Sequence, residues 1–114
     1  MVEEIWKDIK GYEGLYQVST LGRVRSLDVV RQFYPMDRKP YTQLRKGTIL
    51  KPYPHPNGFT IVKLYKDGKG VPIVVHKIVA NAFLDNPMGR KIVFFKDGDK
   101  TNTRLDNLKW SKHE

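Results

Sequence analysis

The chain has 114 residues, of which 39% are hydrophobic, enough for one domain with a modest core. It has no cysteine, which excludes disulfide frameworks, thiolate metal sites and thiol nucleophiles, and predicts an intracellular setting. The formal charge of +9 is unevenly placed: Met1 to Gly22 sets two Lys against four acids, while Arg23 to Lys77 sets twelve Lys or Arg against Asp28, Asp37 and Asp67. So basic a middle segment predicts a polyanionic partner, most simply nucleic acid; the competing reading is a solvated basic rim. The opening MVEEIWKDIK has no basic or apolar leader region, and no run approaches the roughly 18 apolar residues that cross a bilayer, so neither export nor a membrane is expected.

The expected fold class is α+β. From Ile5 to Leu27, short runs with β character, YQV and RVRSL, alternate with Gly11, Gly14 and Gly22 too closely for a helix, predicting a small antiparallel meander. Its large apolar residues, Trp6, Tyr12, Leu15, Tyr16, Val18 and Val24, are expected in the core. From Asp28 to Pro56 the pattern is lost amid five prolines and scattered bases, and an irregular arm is predicted. GFTIVKLY, KDGKG and VPIVV read as a hairpin with a five-residue turn, its second strand held to an edge or bulge by Pro72. HKIVANAFLDNP reads as a short helix with one buried face; KIVFF and LDNLKW read as two more strands, and SKHE as the possible start of a helix.

Two stretches resemble a known family. EIWKDIKGYEGLYQVSTLGRVRSL, Glu4 to Leu27, resembles the nuclease-associated module at the front of many phage and intron-encoded HNH homing endonucleases. Leu50 to Phe83, with IVFFKDGDKTNTRLDNLKW, resembles the HNH domain that such proteins carry next. The resemblance implies a module at 1–28, a basic Pro-rich arm at 29–56 and a truncated ββα-metal unit at 57–114. Val29 to Arg45 is the part it explains least. It also implies a phage or bacterial host cell, hence a cytoplasmic place.

Family members cut DNA with a divalent ion that neutralises the scissile phosphate and a neutral imidazole that takes a proton from water. The family pattern places the first ligand and the general base immediately before an x-Asp-Gly turn, which here is Lys96, Asp97 and Gly98. The corresponding positions are Phe94 and Phe95, and phenylalanine neither binds a hard cation nor accepts a proton. The family's last ligand would lie beyond Glu114. No catalytic residue, metal or cofactor is therefore expected. Asp97, Gly98, Asn102, Asn107 and Trp110 are read as scaffold kept from the motif. Of the two rings, which must point to opposite faces of a strand, one is expected to fill the vacated site and the other to join the core.

The expected DNA contacts are Arg23 and Arg25, alternating on one strand face, with Lys39, Arg45, Lys46 and Lys51 in the arm, mainly to phosphates with little base readout. His76, at the helix start, is read either as a phosphate contact or as a hydrogen bond pinning helix to sheet. Two functions remain open: a nuclease-inactive derivative that binds duplex DNA, and a small inhibitor or accessory factor that binds a host protein. Residual nicking is a third, and a homodimer covering exposed apolar strands is compatible with each.

Overall fold

The computed structural model describes residues 3–86, 89 and 92–110. The chain opens with the predicted meander, β1 (Trp6–Asp8), β2 (Tyr16–Ser19) and β3 (Val24–Ser26), antiparallel in that order. Val18 and Val24, opposite one another, are buried, whereas Trp6 and Leu15 stay half-exposed at the rim. Gly22 turns β2 into β3 at φ +80, and a Cβ there would lie 2.7 Å from the carbonyl oxygen of Thr103, so the meander packs directly against the last loop of the described chain.

The predicted irregular arm is wrong over much of its length. Val29–Phe33 (β4) and Tyr41–Arg45 (β5) pair antiparallel as a two-stranded ribbon, from Val29 opposite Arg45 to Phe33 opposite Tyr41. The prolines, Pro35 and Pro40, lie outside the ladder, so the pairing needs no missing amide. At the ribbon's base the Gly47 amide donates to Asp28 Oδ1 (2.7 Å), and Thr48 to Leu50 return alongside β3.

A three-stranded sheet follows, β6 (Tyr53–Pro54), β7 (Thr60–Lys66) and β8 (Lys69–Val74), in the order 6-7-8. The turn is two residues rather than five: Asp67 (φ 53) and Gly68 (φ 78) both take the left-handed conformation that a tight hairpin needs, so pairing extends to Lys66 and Lys69. Pro72 lies on β8, an edge strand as predicted. The chain passes without a loop into α1 (Val75–Phe83), whose Val75, Val79 and Ala80 are buried against β2, β7 and the last strands. Those are β9 (Val93–Phe95) and β10 (Leu108–Trp110), antiparallel, with a 3-10 turn at Leu105–Asn107. Val18, Leu64, Val79 and Leu108 thus form one core shared by the meander, the middle sheet and the last strands. Residues 111–114, which include the predicted helix start, lie outside the described residues.

Candidate nucleic-acid interface and the Asx loop

The loop from Lys96 to Arg104 is organised around the Asp97 carboxylate, with Asp99 Oδ1 accepting from the Thr101 amide (2.9 Å) and hydroxyl (2.6 Å). Asp97 Oδ1 accepts from the Asp99 amide (2.8 Å) and from Asn107 Nδ2 (3.0 Å), and Asp97 Oδ2 accepts from Asn102 Nδ2 (2.9 Å). Asn107 also donates to the Asn102 carbonyl (2.9 Å), and its Oδ1 accepts from the Asp97 amide (3.1 Å). These donors, the Asn102 amide first, hold the Asp97 carboxyl below its usual range. The carboxylate is thus engaged on both oxygens by its own loop. The sequence-assigned scaffold, Asp97, Gly98, Asn102 and Asn107, is brought together here, and Trp110 closes β10 against the core.

Phe94 and Phe95 do point to opposite sides of β9, but only one turns inward. Phe95 packs at ring distances of 4.8 Å from His76 and 6.3 Å from Phe59, which is itself 4.9 Å from His76. Phe94 is 51% exposed, with the ammonium of its cross-strand neighbour Lys109 at 5.2 Å from its ring. Phe59, His76 and Phe95 thus form an aromatic cluster around the position that the sequence reading gives to the family's general base. The residues present do not fit a divalent ion: rings stand at both expected positions, and among the described residues no three His, Asp or Glu side chains converge.

His76 is corrected on both readings. It is 3% exposed, so it offers nothing to a phosphate, and its buried Nδ1 meets no hydrogen-bond partner among the described residues, so a hydrogen bond from that atom does not pin the helix. Rings hold it instead. Burial, with Lys77 adding to it, pushes its pKa down to about 4, so it is neutral at physiological pH.

The expected pair Arg23 and Arg25 is also revised. Arg23 forms a two-pronged ion pair with Glu4, Nε donating to Oε2 at 2.8 Å, and the Glu4 carboxyl is drawn down to about 2, first by that hydrogen bond. Arg25 lies 4.1 Å above the Trp6 ring and donates through Nε (3.0 Å) and Nη2 (2.6 Å) to Gln17 Oε1. Both guanidiniums are tied into the meander surface. Glu4 carried no sequence signal as a partner because it lies 19 residues from Arg23.

The free cations cluster elsewhere. Arg31, Arg45 and Lys46 from the ribbon face Lys63 and Tyr65 of β7 across a groove, with Asp67 the only carboxylate among the described residues that line it. Arg38, Lys39 and Lys51 are exposed nearby in sequence, Arg38 at 5.1 Å from the Tyr41 ring. None of these seven cations is in an ion pair with the described residues. Arg31, Arg38 and Lys63 were not singled out from sequence; alternation along paired strands would have found Arg31 and Lys63 once the ribbon was recognised.

Comparison with known proteins agrees with this architecture. The NUMOD4 motif model matches residues 4–65. DNA endonuclease I-HmuI of Bacillus phage SP01 is 37% identical over 105 residues, covering 92% of this chain and 51% of that protein. An uncharacterized HNH endonuclease, L245, of Acanthamoeba polyphaga mimivirus is 27% identical over 109 residues, covering 96% of this chain and 27% of the relative. A solved structure describing DNA binding and cleavage by the HNH homing endonuclease I-HmuI superposes with a TM-score of 0.69 at 37% identity, covering 94% of this chain and 52% of that one. This chain thus spans about half the length of I-HmuI. With the NUMOD4 motif model matched over residues 4–65, and the fold shared with a phage HNH homing endonuclease at 37% identity, the chain belongs to the NUMOD4-containing HNH homing-endonuclease family.

Proposed function

We propose that this protein is a catalytically inactive member of its family that binds duplex DNA. The observation that carries the reading is the ring of Phe95, packed on Phe59 and His76, a residue to which the family resemblance assigns the general-base position. A family member without that imidazole lacks the group that activates water. Phe94 likewise removes a ligand, and the neighbouring carboxylate of Asp97 is occupied by its own loop. What remains is a surface for DNA, with Arg31, Arg45, Lys46 and Lys63 around one groove and Lys39 and Lys51 beside it. Phosphates are the groups such a set would engage. In this reading the last two strands are the strand pair of a ββα-metal unit.

Supercoiled plasmid incubated with the purified protein and magnesium or manganese should remain supercoiled. Nicking that disappears in Asp97→Asn or Asn102→Ala would overturn the inactivity. A second reading, a host-protein target, is favoured by Val30 and Leu44, exposed side by side on the other face of the ribbon. A protein captured by the wild type and lost in a Val30→Lys/Leu44→Lys variant would support it.

A further inference from the structure

The turn between β6 and β7 carries Asn57–Gly58, the one Asn-Gly pair in the chain, and both residues are exposed. Such a pair is open to an internal reaction, because glycine has no side chain to keep its amide nitrogen away from the preceding carboxamide. Here the turn bends that carboxamide back. Asn57 Oδ1 accepts from the Phe59 amide (3.1 Å), an Asx turn that folds the side chain over the peptide joining Asn57 to Gly58. A second element reaches the same peptide from the Asx loop near the end of the chain. Lys100 donates from Nζ to the Asn57 carbonyl oxygen (3.2 Å), stands 5.1 Å from the Phe59 ring, and passes its stem over Gly58, where a Cβ would lie 3.3 Å from Lys100 Cδ. Asp67–Gly68 and Asp97–Gly98 differ in kind, since a carboxylate resists attack by an amide nitrogen.

We propose that Asn57 is a site of spontaneous deamidation, promoted in the folded chain by Lys100. The Gly58 nitrogen gives its proton to base from the solvent and attacks Asn57 Cγ. A C–N bond forms, the side-chain nitrogen leaves as ammonia, and a cyclic imide closes. Water then opens the imide at either carbonyl and leaves aspartate or isoaspartate, with no change of oxidation state. The negative charge of the deprotonated peptide is shared between the Gly58 nitrogen and the Asn57 carbonyl oxygen, the atom to which Lys100 donates, so the ammonium stabilises the attacking form. The hydrogen bond from the Gly58 amide to the His55 carbonyl (2.8 Å) opposes the reaction and must open first, as hydrogen bonds of an exposed turn readily do. The product bears on the fold. Isoaspartate lengthens the backbone of the turn that leads into Phe59, whose ring packs at 4.9 Å from His76, and either product sets a carboxylate beside Lys100.

The test incubates the full chain in mildly alkaline buffer and follows the peptide carrying Asn57 by mass spectrometry, with isoaspartyl methyltransferase labelling to identify the isomer. The wild type should deamidate at Asn57 ahead of its other asparagines, and Asn57→Gln should abolish the change at that position. Lys100→Met keeps the stem and loses the ammonium. It should slow the reaction of the folded chain about fivefold, the effect of one exposed charge at contact distance, and Lys100→Arg should restore the rate. In the urea-unfolded chain, where Lys100 no longer reaches the carbonyl, wild type and Lys100→Met should react alike. An Asn57 that keeps its amide in the folded wild type would overturn the proposal. So would equal rates for wild type and Lys100→Met when circular dichroism shows both folded, since the dipeptide alone would then account for the reaction.

Discussion

Phe94 and Phe95 are adjacent in sequence and opposite in consequence. Phe95 packs against His76 and, farther off, Phe59, so truncating it opens a void against those rings, whereas Phe94 is half in water beneath Lys109. Phe95→Ala is expected to cost about 3 kcal/mol and Phe94→Ala under about 1 kcal/mol, by denaturant unfolding. Equal losses would show that Phe94 is buried in solution. His76 yields a pH prediction from the same cluster. Its folded pKa, about 4, lies below the ordinary 6.5, so on acidification the unfolded chain takes up the proton first. Stability should therefore be full above about pH 6.5 and fall as the pH drops toward 4, and His76→Phe should flatten that slope in melting curves taken across the range. An imidazole titrating near 6.5 by NMR would contradict this burial. The identity of the Phe pair was plain in the sequence. Which ring turns inward was not, because alternation gives two faces without saying which face meets the helix.

The ribbon is the element whose removal tests its independence. Asp28 and Gly47 are joined by a hydrogen bond at its base, and no ribbon residue belongs to the core cluster. Replacing Val29–Lys46 by a Gly-Gly link should leave the melting temperature within a few degrees, since so little buried surface is lost. Duplex affinity should fall at least about tenfold at low salt, with Arg31, Arg45 and Lys46 gone together. A collapse of the fold would mean that the ribbon braces the meander. The turn between β2 and β3 behaves differently: Gly22→Ala, strained by its positive φ and aimed at Thr103, should destabilise by about 2 kcal/mol, read by the same melt.

The whole molecule is extended, 60 × 33 × 26 Å, and its radius of gyration of 17.0 Å exceeds the roughly 13 Å of a compact chain of this length. Cations dispersed over that length set the expected salt response. If Arg31, Arg45, Lys46, Lys51 and Lys63 each neutralise one phosphate, log K should fall against log salt with a slope of about −4.5. Arg23→Ala/Arg25→Ala should change that slope by less than about one, because Arg23 is already neutralised by Glu4 and Arg25 is held on Trp6 by Gln17. A fall of about two would restore both arginines to the interface.

The sequence by itself determined the elements whose information is local: the meander from its glycines, the hairpin from Asp67 and Gly68, the helix from Ile78, Val79, Ala82 and Phe83, and the Asx loop from its spacing. The proposal that the chemistry is lost also comes from the sequence, since phenylalanine neither binds a hard cation nor accepts a proton. Tertiary structure alone decided which charges are free. Glu4 reaches Arg23 across 19 residues, Arg31 meets Lys63 only across a groove, and β4 pairs with β5 around two prolines that mask the strand pattern. The physical reason is common to these cases: a charge or a strand edge is satisfied by whatever the fold brings within a few ångströms, and neither composition nor periodicity records distance between residues far apart in the chain.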